Sequence, residues 1–568
     1  MPGLRILNVN PRQAGPVSRW HQVLELAERT GFNAIWLNPF HRACALPFAE
    51  GGRQRLRSLY AIRDHHAIDE AVSCGDPRED LAALREVMAH ARRLKLRVMV
   101  DLVLNHVALD HPLVAAESQQ LRALQAEPGW HLVRAASGEI VALAAPGATV
   151  PLLFARNDAL EATDFDGTTG YDNAQLNFAS QEARRFFLGQ PEAEVGFWKR
   201  LVDFYLELGI GGFRCDMAYR VPASWWQEII DHARRREPDV VFLGETLGGK
   251  DLNLQLADAQ LTSPEGPRPA FDLVMLSTSW WDMKAPWLQD EITVTHRIAL
   301  HGGAGSPDNH DLEQTLAQQQ LQALRTAYPP HGDRDEQAIQ RVVAALCVRN
   351  YAVAAVVGSS VYATLGYLFC LDQTTVFWDP ELLERLERDQ AARQDLSHPL
   401  NLRRPISAIN GFLRCLPLAR ARVALASPPR AHDPGGDDLV GFEVLLHELT
   451  SGDELGRIAV AVDRRHEAGR LAPSTDLAAE TAALVEVLRQ VWPDAATARG
   501  GALWSAPPPW AARDADQREG PALAWQRRSA DGAVWLETPL LLACFVASPP
   551  PASDAVIRQE PFPGQERA

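Results

Sequence analysis

Gly209-Ile210-Gly211-Gly212-Phe213-Arg214-Cys215-Asp216 decides the fold. An amphipathic run, Phe197 to Leu208, stops at Gly209, and a short apolar segment follows with an arginine and an aspartate two residues apart at its far end. In a parallel α/β protein this is a helix feeding a strand whose C-terminal lip carries two inward-facing side chains, because side chains alternate along a strand. Active sites of α/β barrels lie at that lip. A carboxylate beside a guanidinium favours its ionised form, as a carboxylate nucleophile requires. Alone, the pair reads equally well as a structural ion pair.

Working outward, the same rhythm recurs on both sides. Residues 4–9 are β-prone, a helical stretch spans Val17–Thr30, and Phe32–Leu37 is an apolar strand running into Asn38-Pro39-Phe40. After a loop containing Tyr60, Asp76-Pro77 opens a helix reaching Lys95, with an aspartate cap and a proline in the first turn. It leads into the strand Arg97–Leu104, which ends in Asn105-His106. Between Val107 and Gly170 the alternation stops in a stretch rich in Ala, Pro, Gly and Asp, too long for an ordinary loop. It reads as an excursion after the third strand.

Alternation resumes with a helix over Gln181–Leu208, the strand Ile210–Asp216, a helix over Trp225–Arg236 and the strand Val240–Glu245. Strands follow at Phe271–Leu276 and before Ser306–Asp311, then a helix over Asp335–Asn350, the segment Ala352–Leu368 and a helix at Ile406–Arg414. The pattern predicts a (β/α)8 barrel formed by residues 1–106 and 171–416, with 107–170 as an inserted subdomain. Beyond about residue 420, β-prone runs at Leu439–Leu446, Arg457–Val462 and Ala533–Ala547 alternate with turns and a helix at Thr475–Val491. This predicts a C-terminal, β-sandwich-like domain over 417–548, with 549–568 as a disordered tail.

Composition narrows the function. The chain of 568 residues is too long for one core. Its formal net charge of −16 leaves no broad basic face for phosphate, which argues against nucleic acid and anionic membranes. An acidic chain suits a neutral substrate such as a sugar. The seven cysteines form no CxxC or CxxH pair and read as reduced thiols. The first residues show no signal-peptide pattern, and no later run reads as a bilayer span, so a cytoplasmic location is expected. Two tryptophan pairs, 225–226 and 280–281, read as packing residues more readily than as sugar platforms.

Four strand-end motifs stand in order: Asp101-Leu-Val-Leu-Asn105-His106, Gly212-Phe-Arg214-Cys-Asp216, Gly244-Glu245 and Asn309-His310-Asp311. Together they resemble the four signature regions of the α-amylase superfamily, glycoside hydrolase family 13, over roughly residues 4–415. Gln175-Leu176-Asn177-Phe178 resembles that family's fifth region. The resemblance implies a retaining enzyme acting on α-glucosidic linkages, as hydrolase or glucanotransferase. It makes Asp216 the nucleophile, Glu245 the general acid/base and Asp311 the third carboxylate. Arg214 would orient Asp216, and His106, Asn309 and His310 would bind the sugar. Asp101 would support the site, and Tyr60 would stack on the sugar. No cofactor is implied; calcium at Asn105 is a habit of part of the family. Independently, retaining chemistry needs one ionised and one protonated carboxyl group ~5–5.5 Å apart.

The chain departs from the family at Tyr219 and Arg220, where many α-amylases carry Lys-His. Arg220 therefore suggests an anionic leaving group or acceptor. Asp110–Val114, Gly358-Ser359-Ser360, Gly366-Tyr367 and Ile409–Arg414 resemble maltosyltransferases that use maltose 1-phosphate. A transferase with an α-glycosyl phosphate donor is thus the alternative reaction. A catalytically silent carbohydrate-binding protein is the alternative of another class.

Overall fold

Eight parallel strands close a barrel in the computed structural model: β1 (Arg5–Val9), β2 (Ala34–Leu37), β3 (Arg97–Leu102), β4 (Gly212–Cys215), β5 (Val241–Gly244), β6 (Leu273–Met275), β7 (Gly303–Gly305) and β8 (Ser360–Thr364). Each pairs with the next, and β8 returns to β1. The structure describes residues 3–548 apart from 47–48, 51–52, 55–56, 126, 170–171, 191–193, 247–252, 265, 311, 313, 372–379, 432–437, 466–476, 492–524, 529–532 and 539. Around the barrel stand α1 (Trp20–Arg29), α2 (Pro77–Arg93), α3 (Phe197–Leu208), α4 (Ala223–Arg236), α5 (Trp287–Ile298), α6 (Asp333–Val357) and α7 (Arg403–Arg414). The Asp76 side chain caps α2 by accepting the Arg78 N–H at 2.7 Å.

Alternation sorts each strand between two cores. Ile6, Ala34, Trp36, Met99, Val241, Leu243, Met275 and Tyr362 fill the barrel interior. Their neighbours Leu7, Ile35, Val98, Phe213, Phe242 and Val361 face the helices. The register sets Arg214 beside Asp101 on β3 and Leu243 on β5. Two residues beyond, the same face of each chain carries Asp216 and Glu245 to the C-terminal mouth. Gly209 ends α3 in the left-handed region, at φ 93°, where glycine pays no steric cost. Gly212 answers a different constraint: a Cβ there would lie 2.8 Å from Met99 Cγ and 3.2 Å from the Val241 carbonyl oxygen.

Several expectations need correction. The helix expected over Gln181–Leu208 is two, Gln181–Leu188 and α3, separated by a ladder of Gly189–Gln190 with Glu194–Val195. The aromatic pattern runs across the break, with Phe186 and Phe187 before it and Phe197 and Trp198 after it, so periodicity hides it. Helix α6 runs unbroken through residues expected to divide at Asn350. It is also long and apolar enough to cross a membrane by length and composition, contrary to the reading of the sequence, but 83% of its apolar window is buried in the fold. Such burial suits a core helix.

The excursion carries regular structure that its composition does not announce. It includes a helix at Pro112–Gln125 and a three-stranded antiparallel sheet of His131–Arg134, Ile140–Ala145 and Ala148–Pro151. A buried Arg156–Glu117 ion pair of 2.7 Å ties its return path to that helix.

The C-terminal region is rich in sheet, as expected, but the described residues form one seven-stranded antiparallel sheet rather than two facing sheets. The helix Leu477–Val491 covers one face through Leu484 and Leu488. The barrel covers the other, where Trp281 meets Phe442 edge-on at 5.8 Å. Residues 549–568 lie outside the described residues.

The close approach at Gly212 gives a direct test. Gly212→Ala is expected to destabilise the chain by ~1–3 kcal/mol in denaturant titration, as overpacked cores do. Gly211→Ala, whose Cβ would meet only the flexible Arg97 side chain at 3.3 Å, should cost clearly less. Equal stability of the two variants would contradict this packing account.

Candidate active site

The Arg214 guanidinium, 1% exposed, sits at the centre of the barrel mouth. Its Nη1 donates to Asp101 Oδ1 at 2.8 Å and to Asp216 Oδ1 at 2.6 Å. Its Nη2 lies 2.9 Å from Glu245 Oε2. Three carboxyl groups from three strand ends thus meet on one cation. Burial works against the charge of Arg214, but the fields of Glu245, Asp101, Tyr60 and Asp216 outweigh it and hold the group well above its ordinary pKa.

The carboxyl groups differ in what else they touch. Asp216 Oδ2 is buried and makes no hydrogen bond among the described residues. Glu245 Oε2 also accepts the Met217 backbone N–H at 2.6 Å. That N–H is aimed by an unusual backbone, since Met217 takes φ 42° and ψ 44°, a region costly for a residue with a Cβ. Asp101 is enclosed: Trp36 Nε1 donates to its Oδ2 at 2.7 Å and Asn38 Nδ2 lies at 3.4 Å. Burial raises its pKa to about 7, the Asp216 charge adding to the rise and Arg214 and Trp36 opposing it.

Tyr60 OH lies 2.8 Å from His310 Nε2 and accepts from Asn38 Nδ2 at 2.8 Å. The Tyr60 and His310 rings stack with centroids 5.9 Å apart. His106 is buried, which lowers its pKa, and its Nδ1 faces Asn105 Nδ2 at 3.4 Å. Asn309 is buried, its backbone N–H bonded to Asp308 Oδ1 at 3.0 Å. Asp311 lies outside the described residues. Tyr60, Asp101, Arg214, Asp216, Glu245 and His310 are therefore joined by direct contacts.

Arg220 is not among them. It turns outward, Nη1 donating to the Phe165 carbonyl at 3.0 Å and Nη2 lying 3.5 Å from Asp166 Oδ1. Trp225 and Trp226 are buried as packing residues, whereas Trp280 is 51% exposed. At Asn105 the amide nitrogen faces His106 and, at 3.8 Å, the thioether of Met217, while the amide oxygen is buried with no hydrogen bond among the described residues. A hard cation calls for oxygen ligands, and no group of three or more His, Cys, Asp and Glu among the described residues is arranged to hold a metal.

The sequence reading missed Trp36 and Asn38. Trp36 is the floor of the site: its ring lies 5.1 Å from the Arg214 guanidinium carbon and meets His310 edge-on at 5.1 Å. Asn38 follows an apolar strand, and the lip rule that selects Asp216 selects it too. Asn8, on β1, holds the Asn38 side chain at 3.1 Å.

Known proteins extend this picture. A family described as the glucanotransferase domain of glycogen debranching enzyme matches residues 1–126. An α-1,4-glucan:maltose-1-phosphate maltosyltransferase of Burkholderia pseudomallei is 25% identical over 471 residues, 82% of this chain and 34% of that protein. The α-amylase MalA of Haloarcula japonica is 28% identical over 236 residues, 42% of this chain and 27% of that protein. The chain thus spans about a third or less of the length of these relatives. An α-amylase structure from Lactobacillus plantarum covers 81% of this chain and 87% of its own at 14% identity, with a TM-score of 0.49. The barrel assignment rests on the strand register above, without that overlay. The chain is similar to the α-amylase superfamily, with a maltosyltransferase-like similarity through most of its length.

Asp101 supplies a pH test. In the fold it keeps its proton up to about 7, against an ordinary value of 3.8. The folded chain therefore binds more protons across that interval, and this contribution to stability is lost as pH rises through it. At ~1.4 kcal/mol per unit, the effect is large enough to see. Asp101→Asn should gain stability relative to wild type between pH 5 and pH 8.5 in denaturant titrations. A difference that stays constant, or shrinks, would contradict the assignment.

Proposed function

We propose that this chain is a retaining enzyme of the α-amylase type, acting on α-glucosidic linkages of α-glucans or oligosaccharides as a hydrolase or glucanotransferase. The observation that carries the reading is the division of labour around Arg214. Among the described residues Asp216 is gripped through Oδ1 alone, and its Oδ2 has no hydrogen bond. That oxygen has a lone pair for the anomeric carbon, so Asp216 is the nucleophile.

Glu245 is the acid/base. Its Oε2 already accepts from Arg214 and Met217, so in the acid form the proton belongs on Oε1, from which it passes to the departing oxygen. In the second half-reaction Glu245 takes a proton from water or a sugar hydroxyl as that oxygen attacks the glycosyl-enzyme. Carboxyl groups on neighbouring nitrogens of one guanidinium suit the ~5–5.5 Å separation of double displacement. Arg214 orients both. Tyr60, His106, Asn309 and His310 bind the sugar, with Asp101 and Trp36 bracing them from below. Asp311 completes the triad on the resemblance alone.

A second reading, transfer from an α-glycosyl phosphate, is favoured by the long match to the Burkholderia pseudomallei maltosyltransferase. Both readings share the first displacement and differ in the leaving group.

Product analysis of wild type, Asp216→Asn and Glu245→Gln with maltooligosaccharides, with and without inorganic phosphate, tests both. Each substitution should lower turnover by at least ~10³-fold. Glucose or maltose alone identifies a hydrolase, and a ladder of longer and shorter oligomers a glucanotransferase. A sugar phosphate formed only when phosphate is added favours the second reading. No turnover by wild type on any α-glucoside contradicts the proposal and supports a binding protein.

A further inference from the structure

Arg220 stands four residues beyond Asp216, at the end of a 3-10 turn that opens at the strained Met217. An arginine so near a sugar site invites an anionic ligand, but its surroundings argue otherwise. Its Nη1 is engaged by the Phe165 carbonyl at 3.0 Å, and the Asp166 carboxylate lies 3.5 Å from its Nη2. A phosphate there would meet that carboxylate as a like charge. The guanidinium carbon also lies 5.8 Å from the Phe165 ring centre and 6.0 Å from that of Tyr219. Every one of these contacts is to the excursion or to the turn beside the nucleophile.

The segment that Arg220 holds is a built turn. Asp164 Oδ1 accepts the N–H groups of Asp166 and Thr168, each at 2.9 Å, and its Oδ2 accepts the Thr168 hydroxyl at 2.7 Å. From this turn the half-buried Phe165 ring reaches the site, its centre 5.8 Å from that of His106. On the other side, burial and then the charge of Glu245 raise the pKa of Tyr219, against the opposing charge of Arg220. Phe165, Arg220 and Tyr219 therefore form one continuous set of contacts from His106 to the turn that follows Asp216.

We propose that Arg220 is a positioning residue that latches the Asp164–Thr168 turn to the mouth, and that the Phe165 ring so placed sets how the glycosyl-enzyme is shared between water and a sugar acceptor. A flat apolar face beside His106 excludes water and stacks on the less polar face of a sugar ring. The ion pair within the latch is partly exposed, with 36% of the Arg220 and 61% of the Asp166 side chain accessible. Such pairs are weak, so the carbonyl bond and ring contacts carry most of the hold. The inference rests on the retaining-enzyme reading above.

The test uses the full chain as wild type, Phe165→Ala, Arg220→Met and the double variant, with maltotetraose as both donor and acceptor. Hydrolysis is counted as new reducing ends and transfer as longer oligomers. Both single variants should lower the transfer-to-hydrolysis ratio by ~3-fold or more and raise the acceptor KM, with donor cleavage falling less than the ratio does. Because the two residues act through one contact, the double variant should match the stronger single variant. An unchanged ratio in either single variant overturns the proposal, as does a selective loss of phosphate-dependent product in Arg220→Met.

Hydrogen exchange gives a readout independent of turnover. Arg220→Met should raise exchange of the 164–168 amides by ~10-fold or more, and unchanged exchange overturns the latch. If wild type turns over no donor, the reading of the reaction fails, and the exchange result still decides the latch.

Discussion

One buried cation holds the barrel mouth together. Arg214 is the meeting point of Asp101, Asp216 and Glu245, delivered by β3, β4 and β5. Removing a partner from a buried ion network is expensive because the remaining charges lose compensation. Three carboxyl groups around one guanidinium also carry more negative charge than it can balance, so the cluster favours retaining a proton. Burial raises the pKa of Asp101, and the neighbouring Asp216 charge adds to the rise against the pull of Arg214. An enzyme that needs one ionised and one protonated carboxyl group gains from such a cluster.

Much of the remaining fold keeps this cluster dry and rigid. Trp36 closes the floor, accepting the Arg214 charge on its ring and giving its N–H to Asp101. Gly212 lets β4 approach β3 and β5 closely enough for Arg214 to lie between Asp101 and Leu243. The excursion then adds a sheet and turn whose Phe165 borders the site without touching the carboxylates through any described bond. The barrel accordingly determines the chemistry and the excursion shapes access to it.

The barrel was legible because each strand is a short apolar run ending in a polar residue, and inward alternation makes that polar residue a lip residue. Arg214, Asp216 and Glu245 follow from this rule with no knowledge of distant contacts, whereas Asp101, inside its strand, was named by the family resemblance. Trp36 was hidden because a tryptophan inside a strand reads as core. It is core, but its N–H is also part of the site. The break at Gly189–Val195 was hidden because aromatic residues continue on both sides of it. The Phe165–Arg220 contact joins segments 55 residues apart, and no local period records such a pairing. Arg220 was read as a site residue because Tyr219-Arg220 stands where many α-amylases carry Lys-His, whereas its contacts point to the excursion.

The central claim is that Asp216 forms a covalent bond to the sugar through the oxygen that Arg214 leaves free. A fluorinated α-glycosyl fluoride, which forms a glycosyl-enzyme faster than it is released, tests this by mass spectrometry of the intact protein and its peptides. The account predicts an added mass of one fluoroglycosyl group, located on the peptide containing Asp216 and absent from Asp216→Asn. An adduct on another carboxylate, or consumption of substrate with inverted anomeric configuration and no adduct, would contradict it.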